Sequence, residues 1–207
     1  MFIRVLPAII ASNQEELYEM LVRLSGNVEW VMLDFMDGRF VTSKALMWDV
    51  KLFPGLRYEA HLMVKKPVDY LPKLKGKVES VTIHIESDDF PTAIKLAKHL
   101  DFEVGAAINP GTPPAFLEEY LGELDRVLVM TVEPGRYGAS FVESALKTVK
   151  EIRKKMPVMP IEVDGAMNPQ NAKKAKAAGA NIFASGSYLM KTSDFSSSLT
   201  TLKNAVE

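Results

Sequence analysis

The chain has no cysteine, which rules out disulfides and thiolate metal sites. It also has no excess of positive charge: 25 Lys and Arg stand against 26 Asp and Glu, a formal net charge of −1. Such a chain carries no broad basic field, so neither nucleic acid nor a membrane is expected as a partner. The clusters Lys73, Lys75, Lys77 and Lys173, Lys174, Lys176 read as solvated helix faces. No apolar run approaches the roughly 20 residues a bilayer span needs. The apolar start, residues 1–11, is too short for a secretory signal, and Asn13, Gln14, Glu15 and Glu16 follow it where a small-residue cleavage site would stand. A cytoplasmic protein is the expectation.

What is present is alternation. With 207 residues, 47% of them hydrophobic, there is material for one substantial core, and residues 1–207 read as a single domain. Short apolar runs occupy 2–10, 29–35, 56–64, 78–84, 102–108, 126–131, 158–164 and 181–184. Most are rich in Val, Ile, Leu or aromatics, the pattern of strands covered on both faces. Helix-like segments at 14–24, 67–74, 91–100, 113–121, 140–155 and 169–178 separate them, and residues 47–53 carry the faintest helical pattern. Ser12-Asn13 and Asn168-Pro169 are helix-start signals, and Gly179 stands where a left-handed C-cap belongs. Eight strands with intervening helices predict an α/β fold, a single parallel (βα)8 barrel of TIM type. An open doubly wound sheet shares the alternation, but no Gly-x-Gly-x-x-Gly follows the first run.

In such a barrel the chemistry sits at the C-terminal ends of the strands. Those ends carry Asp34 and Asp37, His61, His84 and Glu86, Asn109, Thr131 and Glu133, and Asp164. The third histidine, His99, closes a predicted outer helix and reads as a solvated cation. Residues two apart on a strand share a face, which pairs Met32 with Asp34, His61 with Met63, and Glu162 with Asp164. If Asp34, His61 and Asp164 point inward together, a site for Zn, Fe, Mn or Co results. Taken singly each has a plainer role: Asp164 could cap the helix from Asn168, and a lone strand histidine is often structural. Gly135, Gly138, Gly165, Gly186 and Ser187 follow the last three runs, where barrels build a phosphate cradle, although turn glycines would look the same.

The chain resembles the ribulose-phosphate 3-epimerase family through residues 33–40 (LDFMDGRF), 60–64 (AHLMV), 84–86 (HIE), 109–112 (NPGT), 130–135 (MTVEPG), 162–165 (EVDG) and Gly186-Ser187. The resemblance implies epimerisation of ribulose 5-phosphate to xylulose 5-phosphate at carbon 3 through an enediolate. It implies two aspartates, here Asp34 and Asp164, acting on opposite faces of the sugar, and a divalent metal held by Asp34, His61 and Asp164. It places Met36, Met63 and Met130 around the site and suggests a homo-oligomer.

The departures are specific. Met32 stands where the family has a fourth ligand, a histidine, and a thioether is a poor ligand for such ions, so weak metal binding is expected. Ala8 replaces a serine, Arg39 a histidine, and Thr42-Ser43 a Pro-Asn pair. Tyr137 and Ala139 interrupt the glycine-rich loop, and Ala166 replaces a second glycine after Asp164. Three functions stay open on these residues: this epimerase, an epimerase for another ketose phosphate such as a hexulose phosphate, or a silent sugar-phosphate-binding homologue.

Overall fold

A computed structural model describes residues 2–207. Eight parallel strands form a closed barrel: β1 (Arg4–Ile9), β2 (Trp30–Asp37), β4 (Arg57–Met63), β5 (Ser80–His84), β6 (Glu103–Ile108), β7 (Arg126–Met130), β8 (Ile161–Asp164) and β9 (Ile182–Ser185). Their order is β1-β9-β8-β7-β6-β5-β4-β2, and pairing of β1 with β2 closes the ring. The two-residue β3 (Lys44–Ala45) adds antiparallel to the end of β2, outside the parallel eight. The strands are almost wholly buried, as expected where side chains fill the barrel on one face and helices cover the other.

Among the described residues seven α-helices accompany the strands: α1 (Gln14–Leu24), α2 (Leu71–Leu74), α3 (Phe90–His99), α4 (Ala145–Lys155), α5 (Pro169–Ala178), α6 (Ser187–Met190) and α7 (Phe195–Val206). Asn13 caps α1 by accepting from the Glu16 N–H, and Glu16 returns a bond to the Ser12 N–H. Asn168 caps α5 through the Asn171 N–H, so Asp164 has no capping role. Three expectations are corrected. Residues 47–53 form no helix, since Gln14 takes the Lys51 N–H and the Trp48 indole N–H, holding an irregular segment against α1. Residues 113–121 give 3-10 turns around Pro113 and Pro114 rather than an α-helix, and the helix expected from residue 140 starts at Ala145.

The lower half of the barrel interior is polar. Arg126, 3% exposed, lies between Glu59 (3.0 Å) and Glu162 (3.3 Å) and donates to the Ser80 hydroxyl. Gly105 on the neighbouring strand makes room: a Cβ there would lie 2.7 Å from Thr82 Oγ1 and 3.0 Å from Arg126 Cγ. Burial pulls the Arg126 pKa down, but Glu59 and Glu162 outweigh it and raise it. Burial, and then the Glu59 charge, drives the Glu162 carboxyl well up. Above this layer Leu6, Ala8, Met32, Leu128, Met130 and Ala184 form an apolar collar under the mouth.

Candidate active site

Strand register brings the site together. Asp34 on β2 and His61 on β4 are direct partners in one ladder, and Asp164 ends β8 on the far side of β1 and β9. His61 Nδ1 lies 3.0 Å from Asp34 Oδ1 and 3.8 Å from Asp164 Oδ2. One donor atom from each of the three residues falls within 4.8 Å of the others. Two carboxylates and an imidazole at this spacing fit a divalent transition ion. Met32, fully buried in the collar two residues before Asp34, faces the same interior. Glu162 sits one layer lower, engaged with Arg126, and is not a fourth donor.

The donors are deeply enclosed: Asp34 is 4% exposed, Asp164 8% and His61 not at all. Burial, and then the Glu59 charge, pushes the Asp34 carboxyl well above the carboxylate range. Burial followed by the Asp34 charge raises Asp164 to about 7, with His61 pulling the other way. Burial keeps His61 neutral, against the attraction of Asp164.

Behind His61 stands a chain of polar side chains drawn from the end of the neighbouring strand, β5. His61 Nε2 is 2.8 Å from His84 Nε2, and His84 Nδ1 is 3.3 Å from Glu86 Oε2. Burial would raise the Glu86 pKa, but the His84 bond and the Asn109 N–H hold it below the usual value. An ionised Glu86 takes the His84 Nδ1 proton, leaving a lone pair on His84 Nε2. That lone pair requires the proton on His61 Nε2, so the His61 Nδ1 lone pair faces Asp34 and Asp164. A lone pair aimed at two carboxyls suits a bound cation, or a protonated Asp34 in its place.

A cavity of about 40 Å³ lies over the aspartates. It is lined by Asp34, Asp164, Met63 and Met130 and by the whole glycine set, Gly135, Gly138, Gly165, Gly186 and Ser187. The structure therefore brings the expected cradle residues onto one space with the two carboxyls. Met36 is buried beside Met63 but does not line the cavity. Arg39 and Thr42, two of the departures, line a wider hollow of about 360 Å³ alongside Asn109 and Glu133.

A closed parallel barrel with paired acids and an imidazole at the C-terminal ends of its strands is the framework of a barrel isomerase. The chain belongs to the ribulose-phosphate 3-epimerase family, whose pattern matches residues 4–190. It is a sugar-phosphate epimerase. It is 35% identical to the chloroplastic ribulose-5-phosphate-3-epimerase of Arabidopsis thaliana over 95% of this chain and 75% of the relative. It is 31% identical to the ribulose-phosphate 3-epimerase of Bacillus subtilis over 93% of this chain and 94% of that one. A solved 3-hexulose-6-phosphate synthase superposes with a TM-score of 0.74 at 16% identity, covering 99% of this chain and all of the other. At that identity the likeness is one of fold. Among the described residues no helix is long and apolar enough to cross a membrane.

Proposed function

We propose that the chain inverts carbon 3 of a ketose phosphate, interconverting ribulose 5-phosphate and xylulose 5-phosphate, with Asp34 and Asp164 as the acid–base pair. The observation that carries this is the pair itself: two buried carboxyls, from strands on either side of β1 and β9, share one enclosed space with raised pKa values. Inversion needs one carboxylate that is ionised and one carboxyl that holds a proton. Mutual repulsion at short range gives that division near neutral pH.

The ionised aspartate takes the C3 proton, and the C–H electron pair moves toward the C2 carbonyl to give an enediolate. The protonated aspartate then returns a proton to C3 from the opposite face, and the carbonyl re-forms. Asp34, His61 Nδ1 and Asp164 would hold a divalent cation of the Zn, Fe, Mn or Co kind. When bound, it supplies positive charge to the sugar oxygens that become negative. The backbone at Gly135, Gly138, Gly165, Gly186 and Ser187 would hold the phosphate, with Met63 and Met130 forming the apolar wall and Met36 packed behind Met63. Another ketose phosphate is the second reading, favoured by Arg39 and Tyr137 at the mouth.

The test is isotope exchange in heavy water with ribulose 5-phosphate and Zn, Mn, Fe or Co added in turn. Deuterium at C3 of the xylulose 5-phosphate formed supports the two-base reaction. Folded protein that incorporates none with any metal overturns it for this sugar.

A further inference from the structure

The cavity over the two aspartates is small because a tyrosine stands in it. At about 40 Å³ it holds a water or so, whereas ligand pockets span roughly 300–1,000 Å³. The Tyr137 ring packs against Gly186, so closely that a Cβ on that glycine would lie 2.6 Å from Tyr137 Cε1. Its hydroxyl donates to the Ala8 carbonyl (2.7 Å) and accepts from the Ile10 N–H (2.8 Å), both at the end of β1. Lys191 Nζ covers the ring, 5.7 Å from its centroid. The aromatic side chain thus occupies the space between the Gly186 turn and the Gly135–Gly138 loop, where a phosphate held by those turns would have to lie.

Beyond these bonds the loop carrying Tyr137 is held by packing, with Ala139 and Phe141 against the apolar clusters and Gly135 close to Val41. Residues 133–141 lie outside every helix and strand, and Arg136, Gly138 and Ser140 are exposed. Among the described residues, the two Tyr137 bonds are the hydrogen bonds that tie this segment to the barrel. A segment with so few ties opens at low cost compared with the strands beneath it.

We propose that Tyr137 is a displaceable plug, which fills the phosphate end of the site in the free protein and leaves with its loop when an anionic ligand enters. This rests on the sugar-phosphate reading of the glycine turns above. Ligand affinity is then reduced by the fraction of molecules in which the plug is out. The plug is this chain's own substitution in a loop otherwise made for a ligand.

The experiment compares wild type, Tyr137→Gly and Tyr137→Phe, each checked for folding by thermal melting. Inorganic phosphate affinity is measured by calorimetry and the KM for ribulose 5-phosphate by C3 exchange. Tyr137→Gly is expected to bind phosphate at least about tenfold tighter, equivalent to about 1.4 kcal/mol, and to lower KM in step. Tyr137→Phe keeps the ring but loses both ties, so its gain falls between the two. A folded Tyr137→Gly with equal or weaker phosphate affinity overturns the plug; should that variant not fold, the same comparison with Tyr137→Phe decides. Tighter phosphate binding with no C3 exchange in any variant keeps the plug and removes the epimerase reading. C3 exchange in wild type with a KM unmoved by Tyr137→Gly keeps the epimerase reading and removes the plug.

Discussion

The Nε2 atoms of His61 and His84 lie 2.8 Å apart in a space that excludes water, so one proton must sit between them. Burial holds the His84 pKa near 4 against the pull of Glu86, so both rings are neutral at physiological pH. Glu86, by claiming the other His84 proton, decides which ring donates. Glu86 Oε1 also accepts from the Asn109 N–H, so the carboxylate serves two donors with two oxygens. Glu86→Gln leaves one oxygen for those two donors and releases the tautomer. Metal affinity, measured by competition titration with Mn, Co or Zn, should fall about 10–100-fold, the usual effect of losing a ligand's outer partner. Unchanged affinity would show that His61 orients without the relay.

The acid–base pair makes a second expectation. Asp34→Asn and Asp164→Asn each keep the shape of the side chain and remove its ability to move a proton. Turnover should drop at least about 10²–10⁴-fold in either variant while the melting transition remains cooperative. Near-normal turnover in one of them would confine proton transfer to a single base.

The same carboxyls impose a pH dependence on stability. The Asp164 pKa is near 7 in the folded protein against 3.8 as a free carboxyl, because burial and Asp34 disfavour its charge. A group raised on folding contributes its stability below the unfolded value and loses it as pH rises through the folded value. Between about pH 4 and pH 7 the metal-free protein therefore loses the contribution of this proton. His61 and His84, buried neutral, act in the opposite sense at the acid end, so a difference between variants isolates the effect. Asp164→Asn should raise the melting temperature over wild type more at pH 8 than at pH 5. A constant offset at both values would place the Asp164 titration outside this window.

The barrel and the three-residue cluster were legible because both depend on local rules. Period-two faces and strand ends put Asp34, His61 and Asp164 on one rim without any knowledge of the closed sheet. What escaped depends on contacts between distant segments. His84 was visible at the end of its strand, but its contact with His61 exists only because β4 and β5 are neighbours. The Tyr137 bonds to β1 span 127 and 129 residues. Residues 113–121 looked helical by their apolar spacing, and paired prolines turned them into 3-10 geometry instead. The environment of Glu162 and Glu59 is set by an arginine that reaches across the barrel floor, a contact between strands that no local pattern announces.

Met32 offers a direct gain-of-ligand experiment. It lies inside the barrel two residues before Asp34, its side chain among Leu6, Trp30 and Leu128. Met32→His places an imidazole on the inward face just beneath the donor cluster, giving four protein ligands instead of three. If that ligand adds even about 1.4 kcal/mol, the metal dissociation constant falls tenfold. No gain in a metal titration of the folded variant would mean that the collar is too tight for the ring to turn upward.

The polar floor of the barrel should show in stability rather than turnover. Arg126 is the cation between Glu59 and Glu162, and it also bonds Ser80. Removing one member of a buried ionic group leaves its partners desolvated without compensation, at a cost of about 3–5 kcal/mol. Arg126→Leu should therefore lower unfolding stability by that amount in urea titrations. Adding Glu59→Gln or Glu162→Gln to Arg126→Leu should recover part of that loss, since each removes a carboxyl left buried without its cation. If neither second substitution recovered stability in the same titrations, the cost of Arg126→Leu would lie in lost packing rather than in the ion pairs.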